Sequence, residues 1–246
     1  RPEAPQSKDR PRHFARNLRR NPGACRAGLQ TLSGFQKTAL SKVIKPLRPR
    51  LRAGHFTTTT MTEIFGNITL IRGDGRELLP LMAPRSYDLA LADPLASFDT
   101  PADIPAVCFA QLVRVSLNQI VWNGNLFGLP ETRGVICWDR MYRGEKRPQW
   151  EMAWTSFDLP PKIFKYTPRG RIVGGRVNKP VALWRWLLSR FAEPGQRILS
   201  PFGGNLNLII AAHGLSFPLT LLEHDIERYE TACRWLQEHW PPDSGQ

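Results

Sequence analysis

The chain has 246 residues, 41% of them hydrophobic, enough to bury the core of one substantial α/β domain. No run approaches the ~18 unbroken apolar residues of a membrane span, and the four scattered cysteines (Cys25, Cys108, Cys137, Cys233) match neither a zinc module nor a disulfide framework, which leaves a soluble protein of a reducing cytoplasm. The net charge of +13 points toward nucleic acid, yet residues 1–60 hold 14 Lys/Arg against 2 Asp/Glu while residues 61–246 hold 20 against 19, so the excess belongs to the leading segment.

That segment, residues 1–60, is rich in Pro and Arg and lacks sustained periodicity, as expected of a solvated tail. A phosphate-tracking basic arm and an Arg-rich, acid-poor transit-like segment are two functional readings. The favoured third reading is upstream sequence without function, because Met61 stands just before the first strand pattern. From residue 61 short apolar runs alternate with amphipathic segments, the pattern of a doubly wound, mostly parallel α/β sheet with helices on its faces. In chain order we expect strand "ITLIRGD", short helix "GRELLPLM", strand "YDLALAD", helix "ADIPAVCFAQLVRVS" and strands "NQIVWN", "GVICWD", "WEMAWTSF" and "KIFKY". Helix "KPVALWRWLLSRFA" follows, with Trp184, Leu187, Leu188 and Phe191 on one face, then strand "RILSPF", helix "LNLIIAAHG", strand "PLTLLEHD" and helix "IERYETACRWLQEH". The expected domain is 61–240, with a tail at 241–246.

Sheets of this kind bind ligands at the carboxyl ends of their strands, near the point where strand order reverses. Four predicted strand ends carry polar or Gly-rich groups: Asp74, Asp93, Ser200 to Asn205, and Glu223 with Asp225. The loop "PFGG" suits a polar ligand tail, since glycines permit close backbone approach and a helix N-terminus attracts anions; it also suits a plain tight turn. Glu223 follows Gly204 by 19 positions, the usual place for a carboxylate that accepts from a ribose diol. Asp225, directly before "IERYETA", suits a helix cap.

With "YDLALADPLA", "VWNGNLF", "GVICWDR", "WEMAWTSFD", "IFKY", "KPVALWRWLL", "SPFGGNLN" and "LLEHDIERYETACRWL" in this order, the chain resembles the amino-DNA methyltransferases. The likeness covers nearly all of residues 64–239 in the β-type motif order and is closest to phage-type adenine-N6 enzymes. It implies a Rossmann-like methyltransferase fold and methyl transfer from S-adenosylmethionine to the exocyclic amine of a base in DNA. Its context would be a bacterial or phage-infected cytoplasm, with restriction-modification as one setting. By the same resemblance Asp93 and Pro94 carry catalysis, with the carboxylate orienting the amine of a flipped base. The cofactor contacts would be Asp74, Lys179, Ser200, Phe202, Gly203, Gly204, Asn205 and Glu223, with Asp225 beside them. Homodimers are common in the family, although no interface is legible here.

The chain departs from the family pattern in both pockets. "DPLA" fills the slot of Asp-Pro-Pro-Tyr, so Ala96 stands where an aromatic ring stacks on the base; Phe98 is the nearest replacement. In "SPFGGNLN", Ser200 replaces an acid, Asn205 a serine and Leu206 a glycine. A catalytically inactive relative that binds DNA or a partner is therefore the second reading. For DNA contact, residues 140–179 hold ten Lys/Arg against three acids, interleaved with Trp150, Trp154 and Tyr166. Arg140, Arg143, Lys146, Arg147, Arg169 and Arg171 are the phosphate-tracking candidates, against the plainer reading of a solvated loop. His213, His224 and His239 have no convincing partner set, and Cys108, Cys137 and Cys233 read as small core residues.

Overall fold

In the computed structural model, which describes residues 61–97, 99–142, 148–167, 178–203 and 206–240, each apolar run predicted as a strand is one. The strands are β1 Met61–Phe65, β2 Ile68–Arg72, β3 Tyr87–Ala92, β4 Ser116–Trp122, β5 Val135–Asp139, β6 Trp150–Thr155, β7 Lys162–Lys165, β8 Ile198–Ser200 and β9 Leu219–Glu223. The helices are α1 Gly75–Leu78, α2 Pro94–Ser97, α3 Ala106–Val115, α4 Val181–Phe191, α5 Leu206–Gly214 and α6 Ile226–His239. The sheet order is β1-β2-β9-β8-β3-β4-β6-β5-β7, with only the pairs β1/β2, β4/β6 and β5/β6 antiparallel.

Two apolar layers follow from the period-2 alternation of the central strands. Leu89, Leu91, Ile198, Leu219 and Leu221 face one side, where they pack with Leu183, Trp184, Leu187 and Leu188 of α4, Leu208 and Ile209 of α5, and Tyr229 and Leu236 of α6. Ala90, Ala92, Leu199 and Leu222 face the other side, against Cys108, Phe109, Leu112 and Val115 of α3. Both faces of the middle strands are thus buried, which explains why they read as continuous apolar runs. Each fully buried Leu or Ile contributes about 1.5–3 kcal/mol of transfer free energy.

Three boundaries differ from the sequence expectation, each for a local reason. Pro80 interrupts "GRELLPLM", so α1 ends at Leu78 and passes into a 3-10 turn, Leu79–Leu81. Helix α3 begins only at Ala106, after Pro105, while Pro101–Asp103 forms a separate turn capped by Thr100. Strand β1 was not expected; it pairs with β2 across Gly66 and Asn67, and Gly66 adopts φ +55°. A two-residue Gly-Asn link is a hairpin signal that the sequence did carry.

From β8 the chain crosses through α5 to β9 on one side, and from β3 through α3 to β4 on the other. Adjacent strands β8 and β3 therefore flank the reversal of strand order, with their carboxyl ends side by side. Asp93 follows β3, Pro201 follows β8, Glu223 ends β9, and Gly73 after β2 donates its N–H to Glu223 O at 2.9 Å. Gly75 opens α1 against this edge, and a Cβ there would stand 2.0 Å from Pro201 O. Gly75→Ala is expected to cost about 1–3 kcal/mol by forcing α1 off the end of β8, read as a lower urea midpoint; an unchanged midpoint would contradict this packing.

Candidate active site

Pro94 has no N–H for the ladder, so β3 stops at Ala92 and the chain turns into α2 with Pro94 as its first residue. Asp93 is left at the strand mouth, 6% exposed, with its backbone carbonyl accepting from Ala96 N–H at 3.0 Å. Lys179 Nζ donates to Asp93 Oδ2 at 2.8 Å and also lies 2.9 Å from Glu151 Oε2 on β6. The other Glu151 oxygen, Oε1, pairs with the Arg140 guanidinium. Two carboxylates and two cations, from the end of β3, the approach to α4, β6 and the end of β5, thus form one formally neutral group in which only Glu151 is partly exposed.

Lys179 is 4% exposed and sits over the Trp122 ring, 4.7 Å from its centroid, while Arg140 lies over Trp138 at 4.9 Å. A desolvated cation over an indole gains about 2 kcal/mol. Burial pulls the Lys179 ammonium below its ordinary range, with the Arg140 charge pulling the same way and Asp93 opposing. Asn207 on α5 donates Nδ2–H to Lys179 O at 2.9 Å, which ties this segment to the helix after β8.

Glu223 lies at the opposite pole of the site. It is 2% exposed; Oε1 accepts from Asp225 N–H at 2.8 Å, and Oε2 is buried without a hydrogen-bond partner. Burial holds its carboxyl above the ordinary value, opposed by the Asp225 N–H and the neighbouring His224 and Arg228. Gly203 presses against it: a Cβ at Gly203 would stand 2.6 Å from Glu223 Oε2 and 2.5 Å from Leu222 O. Asp93, Lys179, Glu151, Arg140 and Glu223 line one cavity of about 840 Å³, with Leu95, Ala96, Leu206, Trp150 and Arg228. Arg228 spans it, donating to Ala96 O at 2.8 Å from the first turn of α6.

The remaining candidates divide clearly. Asp74 accepts from Arg76 N–H at 2.8 Å and is ion-paired with the Arg76 side chain, so it caps α1 and is absent from the cavity wall. Asp225 caps α6 through Arg228 N–H at 3.0 Å. Ser200 is buried at the end of β8, and Phe202 packs beside Phe109 in the second apolar layer. Pro94 is buried, and Ala96 lines the cavity half-buried.

Arg140 corrects the phosphate-tracking expectation: at 3% exposure and paired with Glu151, it is an internal charge. Lys179 approaches Asp93, whereas the resemblance had placed it at the cofactor. Phe98, Arg143, Lys146, Arg147, Arg169, Arg171, Gly204 and Asn205 lie outside the described residues. Sequence reasoning missed Glu151, although a lone acid inside the apolar strand "WEMAWT" signals a paired charge. Of the histidines, His213 packs between Trp235 and Trp240, and burial raises the Cys108 thiol to about 11, as suits an inert core residue. Among the described residues no His/Cys/Asp/Glu group could hold a metal, and no helix is long and apolar enough to cross a membrane.

The mostly parallel sheet, with its cleft at the reversal of strand order and β1 and β6 running antiparallel to the rest, has a doubly wound, Rossmann-like fold shared with several solved structures. Among solved structures, M1.HpyAVI in complex with S-adenosylmethionine matches at a TM-score of 0.50 and 17% identity, over 69% of this chain and 98% of the other. TTHA0409 from Thermus thermophilus, assigned as a DNA modification methylase and complexed with S-adenosyl-L-methionine, matches at 0.52 and 14%, over 69% and 93%. The cytosine-N4-specific PvuII DNA methyltransferase matches at 0.53 and 11%, over 73% and 88%. No family model matches the chain, and neither does any curated protein.

Two expectations follow from the charges. Lys179→Met or Asp93→Asn alone leaves a buried charge unanswered and is expected to cost about 3–5 kcal/mol. The double variant should lose less than the sum by about 1–3 kcal/mol, as measured by urea denaturation; strict additivity would mean the pair is not coupled.

For Glu223, the folded-state value is raised, so the folded protein binds more protons than the unfolded chain between the ordinary carboxyl value and the raised one. Stability is therefore highest below that window and falls as pH rises through it. Glu223→Gln should match the wild-type Tm below the window and exceed it above; identical Tm–pH curves would rule out the buried carboxylate as the cause.

Proposed function

We propose that this protein is a DNA methyltransferase that transfers a methyl group from S-adenosylmethionine to the exocyclic N6 of adenine. One observation carries the reading: Asp93 and Glu223, at the ends of strands separated only by β8, line the same cavity, and one Glu223 carboxylate oxygen has no hydrogen-bond partner. Glu223 is suited to accept from a ribose hydroxyl, and Gly203 packs directly against it, where a Cβ would not fit. These groups fit S-adenosylmethionine, which supplies an electrophilic sulfonium methyl when bound. Solved proteins of the same fold have been crystallised with that cofactor.

On the substrate side, Lys179 takes up Asp93 Oδ2, so Oδ1 is the oxygen left to accept an amine N–H. The accepted bond turns the nitrogen lone pair toward the methyl donor, and the gain comes mainly from holding the two at near-attack distance. The carboxylate orients the amine and need not remove its proton. The preference for adenine over cytosine rests on resemblance, through aspartate at position 93.

A second reading, a methyltransferase-like protein that binds DNA or a partner without transferring methyl, is favoured by one feature. Half of the Asp93 carboxylate is already occupied by a buried ammonium, and Ala96 offers no ring to a base.

The decisive experiment is calorimetric titration with S-adenosylmethionine, followed by transfer of labelled methyl to unmethylated DNA by wild type and by Asp93→Ala. The enzyme reading expects cofactor binding, label in N6-methyladenine, and a loss of at least about 100-fold in Asp93→Ala, in keeping with the weight of positioning effects. No binding at millimolar cofactor would leave the second reading. Equal transfer by both proteins would remove Asp93 from the mechanism.

A further inference from the structure

The cavity has an aromatic wall in an unexpected place. Among the described residues that line it, only Trp150 and Tyr229 are aromatic; Tyr229 is 4% exposed and packed into the core, whereas Trp150 is 57% exposed. Trp150 opens β6 opposite Asp139 of β5, and the residue before it is fixed by Arg140 N–H donating to Gln149 O at 2.8 Å. The next residue, Glu151, is held by Lys179 and Arg140. An indole standing mostly in solvent on backbone this well anchored presents a large flat apolar surface that burial by a ligand would stabilise.

The neutral Asp93–Lys179–Glu151–Arg140 group beside it offers no net charge to an ion but keeps a carboxylate oxygen for a donor. A neutral planar ring bearing an exocyclic amine satisfies both features. We infer that Trp150 is the platform on which the substrate base stacks, taking the part that Ala96 cannot play. This inference rests on the proposed nucleic-acid substrate and names the residue that holds it. Stacking on an aromatic side chain tolerates any base, so Trp150 governs affinity for an unstacked nucleotide, with Asp93 selecting the amine.

The test uses the full chain without cofactor and a short fluorescein-labelled single-stranded oligodeoxyadenylate, followed by anisotropy. An abasic oligomer of the same length serves as control. Trp150→Ala should weaken oligodeoxyadenylate binding about 5- to 150-fold, Trp150→Phe should stay within about threefold of wild type, and the abasic oligomer should bind wild type and Trp150→Ala alike. Matching Tm values for the three proteins confirm that this exposed position is not structural.

Undiminished binding by Trp150→Ala, an equal loss on the abasic oligomer, failure of phenylalanine to rescue, or no oligodeoxyadenylate binding by wild type would each overturn the inference. S-adenosylmethionine affinity, measured in parallel, should be the same in all three proteins. If wild type binds the oligomer through Trp150 but takes no cofactor, the methyltransferase reading fails while the stacking platform stands.

Discussion

The ion pair between Asp93 and Lys179 is the constraint around which the cleft is organised. Both side chains are almost fully withdrawn from water, so neither charge can be carried without the other, and Glu151 and Arg140 complete the balance. Such groups add little net stability over apolar residues of the same volume. Their effect here is geometric: strand β3, strand β6, the end of β5 and the segment before α4 must converge for any of the four charges to be answered. Trp122 and Trp138 form the apolar bed on which the two cations rest, linking the sheet's packing directly to the orientation of Asp93.

Across the same cavity, Glu223 shows the opposite arrangement of charge. Asp93 is satisfied by a cation; Glu223 is buried with one oxygen unanswered, and its carboxyl is correspondingly displaced upward. A group held in an unfavourable state by its surroundings is characteristic of binding sites, where the missing partner arrives with the ligand. The two carboxylates therefore differ within one cleft, Glu223 with one oxygen unanswered and Asp93 with one oxygen taken by Lys179. Arg228, in the first turn of α6, donates to Ala96 O and links the two sides of the cavity.

The architecture was legible because it depends on patterns short enough to read along the chain. Short continuous apolar runs announce β3 and β9, their flanking helices announce parallel crossovers, and the ends of those strands announce where the cavity lies. The cap role of Asp225 was equally local, since a carboxylate before a helical run accepts from the N–H three residues later. Strand β1 escaped notice because its face is mostly exposed and lacks apolar alternation, although the Gly66-Asn67 link marked the hairpin.

Sequence alone determined the α/β class, the order of strands β2 to β9 and of every helix but α2, and the placement of Asp93 and Glu223 at strand ends, because each depends on periodicity or on neighbours within a few residues. Only the tertiary structure decided that Lys179 answers Asp93, that Arg140 turns inward to Glu151, and that Trp150 faces the cavity while Asp74 does not. Those outcomes depend on contacts between segments far apart in the chain, where a charge can be met by any of several partners. Burial then selects the pairing that leaves the fewest charges unanswered.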